Sequence, residues 1–357
     1  MYNIVTLGGT TLTRLVPLCE DLNIVSPSTL DDFKKYVNNG YAVILNGLTN
    51  DSLSEFMPYI DYIEQNNIHV FVDAMYESNI MTFHLTKKLD TTSTLLISNR
   101  LATEHIYFDN VITFPYFELQ SYILWKNLGI TPLTYEQHLS TEKNSFVCLN
   151  GVNKPGRRFA YKYLSKNNII DDCLFTFHNR GSEDNAPLIE EYPTRTLAND
   201  TENNDDGVTW DNTYNPNWFL NTHFNYVTES TCDNETSHGY AIHRYDNCFF
   251  PTEKTFKPIF NCHPFICLSD VDYHKNLKEI QGYELYDEVF SYTFDRIEAS
   301  EHRWLVQLEQ VEYLHKHGLD MDLIKEKLLY NQNLFLDEKR HKDNLLNLLN
   351  QIDKHTN

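Results

Sequence analysis

SFVCLNGVNKPGRRFAYKYLSKNN, Ser145 to Asn168, is a strand, a turn and a helix in one line. FVCLN carries no charge and reads as a strand buried on both faces, as strands of parallel sheets are. GVNKPG then sets two glycines and a proline in a short span, the composition of a turn. RRFAYKYL opens a helix, and LFTFH, Leu174 to His178, supplies the next apolar run. Strand, helix, strand is the unit that builds a parallel sheet with helices on its faces.

The same rhythm fills the chain before it. Short runs rich in Val and Ile recur at Asn3–Gly9, Tyr41–Gly47, Ile68–Ala74, Thr94–Ser98 and Asn110–Pro115. Between them, SLSEFMPYIDYIEQNN (Ser52 to Asn67) puts Leu53, Phe56, Ile60 and Ile63 on one helical face. Downstream, FNYVTES (Phe224–Ser230), YAIHR (Tyr240–Arg244) and PFICL (Pro264–Leu268) read as strands. Segments 301–318, 323–336 and 340–355 have helical spacing and good helix formers. The expected fold is therefore α/β, with two Rossmann-like domains, residues 1–143 and 144–300, facing a cleft. C-terminal helices follow over 301–357. Gly181 to Trp210 holds eight acidic residues and one arginine with no apolar period, and reads as an exposed insertion. In open parallel sheets ligands sit at the carboxyl ends of the strands, so functional side chains are expected there.

Bulk properties narrow the class. With 357 residues, 41% hydrophobic and 13% aromatic, the chain exceeds one typical core and has apolar material for two. A formal charge of -21 repels nucleic acid and anionic membranes except where a local basic cleft overrides it. Lys87, Lys88, Arg100 and Lys126 are too scattered to form a basic stripe. The seven cysteines are odd in number and lack a C-x-x-C pair, which points to buried free thiols in a reducing compartment. The N-terminus lacks a basic region followed by an apolar core, and no segment nears the roughly 20 apolar residues that span a bilayer. A soluble cytoplasmic protein without a membrane partner is expected.

FFPTEKTFKPIFNCHPFICL, Phe249 to Leu268, holds Glu253, Lys254 and Lys257 among aromatic residues. Thr252 can cap a helix beginning at Glu253, and a glutamate suits the positive end of the helix dipole. A capped start thus explains Thr252 and Glu253 without a ligand. It does not explain Lys254, because a cation is unfavourable in a first turn. An anion bound at the helix start, where backbone N–H groups also point, would explain it. A Glu-Lys pair there suits a nucleotide, with ribose hydroxyls to the carboxylate and phosphates to the lysine.

TEKTFKPIFNCHPFI resembles the TEK helix of fucosyltransferase-like GT-B glycosyltransferases. More closely, it resembles a set of phage and bacterial glycosyltransferase-like proteins. Three further segments are similar to that set: YVTES (Tyr226–Ser230), FVCLNGVNKPGRRFAYKYL, and the run from Leu277 to Arg303. The likeness spans residues 144–335. It departs from the pattern in a longer insertion between Glu229 and Thr252 and in a less arginine-rich loop before Arg157.

The resemblance implies a GT-B enzyme whose second domain binds a sugar nucleotide and whose first binds the acceptor. On that basis Glu253 meets the ribose, while Lys254 with Arg157 or Arg158 faces the diphosphate. Glu229, Ser230 and Thr252 line the donor site. The implied activity is sugar transfer from a nucleotide-sugar donor to a hydroxyl of a glycan, a protein or a hydroxymethylated DNA base. Phage-like relatives imply the host cytoplasm. GT-B enzymes stabilise the leaving diphosphate with cations and a helix start, so neither a metal nor a cofactor beyond the donor is expected. The DxD strings at Asp270–Asp272 and Asp320–Asp322 are poor metal candidates, the second reading as a helix cap.

An inverting enzyme also needs a base near the acceptor hydroxyl. Asp73, at the end of HVFVD, and Glu77 are the candidates, with turn capping the plain alternative for Asp73. Gly8, Gly9 and Thr10 form a loop that could approach a ligand or serve packing alone. His84, His105 and His243 are isolated and read as structural. Two other classes fit the same pattern: a non-catalytic GT-B-shaped protein, such as a virion protein, that binds a glycan or nucleotide, and a sugar-nucleotide epimerase.

Overall fold

The alternation of apolar runs and helices produces two parallel sheets, one of six strands and one of four. The computed structural model describes residues 1–46, 50–74, 93–98, 110–141, 143–150, 154–177, 195, 215–229 and 249–356. The chain divides into two units, Met1–Ile123 with Asp337–Asn357, and Leu124–Leu336. Among the described residues no helix is long and apolar enough to cross a membrane.

The first unit begins with β1 (Tyr2–Leu7), β2 (Leu22–Val25), α1 (Leu30–Asn38) and β3 (Ala42–Leu45). It continues through α2 (Asn50–Gln65), β4 (Val70–Ala74), β5 (Ser93–Ser98), β6 (Asn110–Phe114) and α3 (Tyr116–Asn127), whose residues from Leu124 on fall in the second unit. The strands run β2-β1-β3-β4-β5-β6, all parallel. The five expected strands are β1 and β3 to β6. The sixth, β2, is a four-residue edge strand whose last three residues are only half-buried. Val5, Leu7, Val43, Leu45 and Val70 of the sheet meet Phe33 of α1 and Ile60 and Ile63 of α2 in one core. Thr29 caps α1 by accepting from the Asp32 N–H at 3.1 Å, and Asp31 and Asp32 complement the dipole.

The second unit contains α4 (Tyr135–Leu139), β7 (Asn144–Cys148), α5 (Pro155–Lys166), β8 (Leu174–Phe175), α6 (Pro216–Leu220) and β9 (Thr222–Thr228). Then come α7 (Glu253–Phe260), β10 (Phe265–Leu268), α8 (Tyr273–Glu279), α9 (Ser300–His317) and α10 (Lys325–Leu336). Its strands run β10-β9-β7-β8, again all parallel. Of the expected insertion only Arg195 is described. It bridges to Phe177 through the backbone and donates to Asp171 at 2.8 Å. The strand expected at Tyr240–Arg244 lies outside the described residues, as do His84, His105 and His243.

The helix-to-strand turn between α7 and β10 is compact. The His263 N–H bonds the Pro258 carbonyl at 2.9 Å and the Cys262 N–H bonds Ile259 at 3.2 Å, with Cys262 at φ 50°. This is a Schellman ending, and Pro264 then prevents helix continuation. Phe256 and Phe260 of α7 pack on Phe335 of α10, and Phe260 also meets Trp125.

At the amino edge of this sheet sits a basic cluster. Lys143 donates to the Leu220 and Thr222 carbonyls, each at 3.1 Å, and lies 3.4 Å from His138 Nδ1. His138 Nε2 meets the Asn261 carbonyl at 2.7 Å and His263 Nε2 the Thr222 carbonyl at 3.0 Å. Cys19, Cys148, Cys173, Cys262 and Cys267 are buried free thiols.

The last helix, α11 (Glu338–Thr356), belongs to the first unit. It buries His341, Leu345, Leu348, Leu349 and Ile352, a helical stripe. Arg340 pairs with the fully buried Glu118 of α3, and the Tyr122 hydroxyl donates to Glu338 at 3.0 Å.

Candidate functional site

Candidate residues of the second unit gather at the carboxyl ends of β7 and β9, where α5 and α7 begin. Lys154 and Pro155 start α5, and proline at the first helical position costs no hydrogen bond. Arg157 then lies in the first turn, 1% exposed, and donates to the Thr228 carbonyl at the end of β9, 3.3 Å away. The neighbouring ends are tied by Asn150, which accepts from the Thr228 hydroxyl at 2.6 Å and donates to the Thr176 carbonyl at 3.0 Å. Arg158 is half-buried.

α7 starts where the sequence predicts. Thr252 is its cap, accepting from the Lys254 N–H at 3.4 Å. What holds that cap is Glu229, the residue after β9. Its carboxylate accepts from the Thr252 N–H at 2.9 Å, the Thr252 hydroxyl at 2.6 Å, the Thr255 hydroxyl at 2.6 Å and the Tyr273 hydroxyl at 3.3 Å. Glu229 is 1% exposed and so engaged it fixes the helix start to the sheet edge. Thr255 and Tyr273 carry no charge and gave no signal in the sequence.

Glu253 and Lys254 form an ion pair of 2.7 Å with little solvent contact, and the Lys254 ammonium also reaches the Thr252 hydroxyl at 3.1 Å. Burial opposes ionisation of Glu253. The Lys254 and Lys257 charges and the Lys254 hydrogen bond outweigh it and hold the carboxyl at about 2. Burial likewise disfavours the Lys254 ammonium, but Glu253 and Glu229 raise its proton affinity above the ordinary value, against repulsion from Arg157. The pair stays charged at neutral pH. At the two helix starts Arg157 and Lys254 stand against Glu229 and Glu253, and Lys257 adds a positive charge from the last turn of α7.

The residues downstream of β10 are structural. His274 donates from Nδ1 to Asp295 at 2.8 Å and accepts at Nε2 from the Cys267 N–H at 3.1 Å. Asp295 also accepts the His274 and Lys275 N–H groups and so caps α8. Arg303 donates to the Ser269, Ile297 and Glu298 carbonyls and lies 3.9 Å from Asp270. Asp320 caps a short 3-10 turn, accepting from the Asp322 N–H at 3.0 Å.

In the first unit, Asp73 ends β4, 2% exposed. It accepts from the Thr10 hydroxyl and the Thr11 N–H, both at 2.7 Å, from the Thr11 hydroxyl at 2.8 Å and from the Asn46 amide at 3.5 Å. These bonds tie the loop after β1 to the end of β4. Gly8 and Gly9 have φ of 81° and 90°. A Cβ on Gly9 would meet nothing within 4 Å, so backbone conformation rather than space selects glycine there. Glu77 and Ser230 lie outside the described residues.

No protein-family model, curated protein or solved structure matches the chain.

Proposed function

We propose that the chain is a metal-independent, phage-like glycosyltransferase of GT-B type that moves a sugar from a nucleotide-sugar donor to an acceptor hydroxyl. The observation that carries this reading is the convergence of Arg157, Glu253 and Lys254 at two helix starts on the carboxyl edge of one parallel sheet. Glu253 accepts the ribose hydroxyls, and Lys254 and Arg157 take the diphosphate, as a point charge and a planar fork. The acceptor oxygen attacks the anomeric carbon, the bond to the diphosphate breaks, and the electron pair leaves with the diphosphate. Cations fixed before the reaction stabilise that charge without reorganising.

The first unit then carries the acceptor, a glycan, a protein or a hydroxymethylated base in DNA. The candidates for its base are Asp73 and Glu77. Asp73 would have to give up a threonine bond to take a proton.

Thermal shift of the purified chain against nucleoside diphosphates and their sugar conjugates tests the donor site, because a ligand of the native state raises the midpoint. The expected result is a shift with one diphosphate family that is lost in Glu253→Ala. No shift with any member would favour the non-catalytic protein and return the TEK helix to a capped helix start.

A further inference from the structure

Glu253 and Lys254 neutralise each other at 2.7 Å. A phosphate that takes the Lys254 ammonium therefore takes the counter-ion of a carboxylate that is only 9% exposed. A buried carboxylate stripped of its partner must find another cation or take up a proton. Glu229, at the same helix start, adds a second negative charge, and its acceptors are engaged by Thr252, Thr255 and Tyr273. Arg157, from α5, is directed to the Thr228 carbonyl.

Lys257 is a further cation of α7. It lies four residues after Glu253, on the same face of α7, and helical side chains lean toward the helix start. A glutamate four residues before a lysine is the favourable order of such a pair. Lys257 is 7% exposed, and among the described residues no hydrogen bond or ion pair reaches its ammonium. Its charge nonetheless acts on the Glu253 carboxyl.

We propose that Lys257 is the replacement counter-ion of Glu253. When an anionic ligand takes Lys254, Lys257 takes over the Glu253 carboxylate, so the ligand binds without proton uptake at that group. Lys257 is thus a positioning residue that keeps Glu253 ionised and able to accept ribose hydroxyls. The inference rests on the donor-site reading above.

Titration calorimetry of the whole chain at pH 7 with UDP, GDP, ADP and pyrophosphate tests it. Each titration is run in buffers of different ionisation enthalpy, which gives the protons taken up on binding. For the probe that binds, K257M is expected to weaken affinity on the order of 100-fold and to take up more protons than wild type. The nucleotide's own protons cancel in that comparison. K257R is expected to restore both quantities. K257Q, uncharged but able to hydrogen-bond, repeats the test should K257M fail to fold. Unchanged affinity in the uncharged variants overturns the proposal. So does weaker binding with the same proton count as wild type, which would mean that Lys257 holds the ligand itself or only the fold. Binding by wild type with these variant results leaves the donor site standing without the exchange. A wild type that binds none of the probes removes both.

Discussion

Glu229 and Thr252, 23 residues apart in the chain, are joined twice: one carboxylate oxygen accepts the Thr252 N–H at 2.9 Å and the other its hydroxyl at 2.6 Å. The helix that presents Glu253 and Lys254 is therefore positioned by the residue that follows β9. Thr255 and Tyr273 complete the grip from one turn along α7 and from α8.

Removing that carboxylate should cost the fold before it costs the ligand. Glu229→Ala leaves several buried donors without an acceptor and is expected to destabilise the second unit by about 3 kcal/mol. Glu229→Gln keeps one acceptor oxygen and should cost about 1–2 kcal/mol. Trp125, Trp210, Trp218 and Trp304 all fall within Leu124–Leu336, so tryptophan fluorescence in a urea titration follows this unit alone. An unchanged midpoint in both variants would assign Glu229 to ligand contact instead.

Arg157 is expected to act on the leaving group. If it stabilises charge that develops on the diphosphate, Arg157→Ala lowers turnover more than affinity. Arg157→Lys should recover only part of the loss, because an ammonium cannot reproduce the planar fork. Turnover and diphosphate affinity measured on the same preparations decide it. Equal losses in the two quantities would make Arg157 a binding residue.

Much of this was legible in the sequence. Charge-free runs marked the buried parallel strands, and Thr252 marked the start of α7. The position of Lys254 was anomalous for a capped helix, and in the structure it is paired with Glu253. What stayed hidden has a common cause. Asp73 meets Thr10 and Thr11, and Glu229 meets Tyr273, across separations of 63, 62 and 44 residues. Such pairings depend on strand order, which no local period records. β2 is short and half-exposed, so its pattern is too weak to read. The return of α11 to the first unit likewise depends on Glu118 and Arg340, 222 residues apart.

Acid should loosen the second unit at a pH above the range where carboxylates protonate. Burial holds His138 at about 4, helped by Lys143 and opposed by its bond to the Asn261 carbonyl, and holds His263 well below its ordinary value. His223 and Lys143 also face His263 and push in the same direction. In the unfolded chain both histidines titrate near ~6.5. Between about 6.5 and 4 the unfolded state binds more protons, so stability falls as pH falls through that window. The loss attributable to His138 alone is about 3 kcal/mol at pH 4. Urea midpoints followed by tryptophan fluorescence should decline from pH 7 to pH 4.5. His138→Gln should flatten the slope, and an unaltered slope would remove this histidine from the account.

Asp73 offers a choice between anchor and base, and its hydrogen bonds favour the anchor. Asparagine in its place would turn an amide N–H₂ toward the Thr11 N–H or the two hydroxyls, setting donor against donor. Asp73→Asn is therefore expected to destabilise the first unit by roughly 1–3 kcal/mol. Hydrogen exchange should quicken in peptides covering 1–46 and 70–74, while tryptophan fluorescence, confined to the second unit, reports no change in the ligand-free chain. A catalytic base behaves differently: its loss lowers turnover by about 10²–10⁴ with exchange unaltered. Faster exchange at the β1 loop leaves Glu77 as the candidate base. Unaltered exchange with turnover abolished would place the proton on Asp73, with Thr10 and Thr11 as the groups that hold it in line.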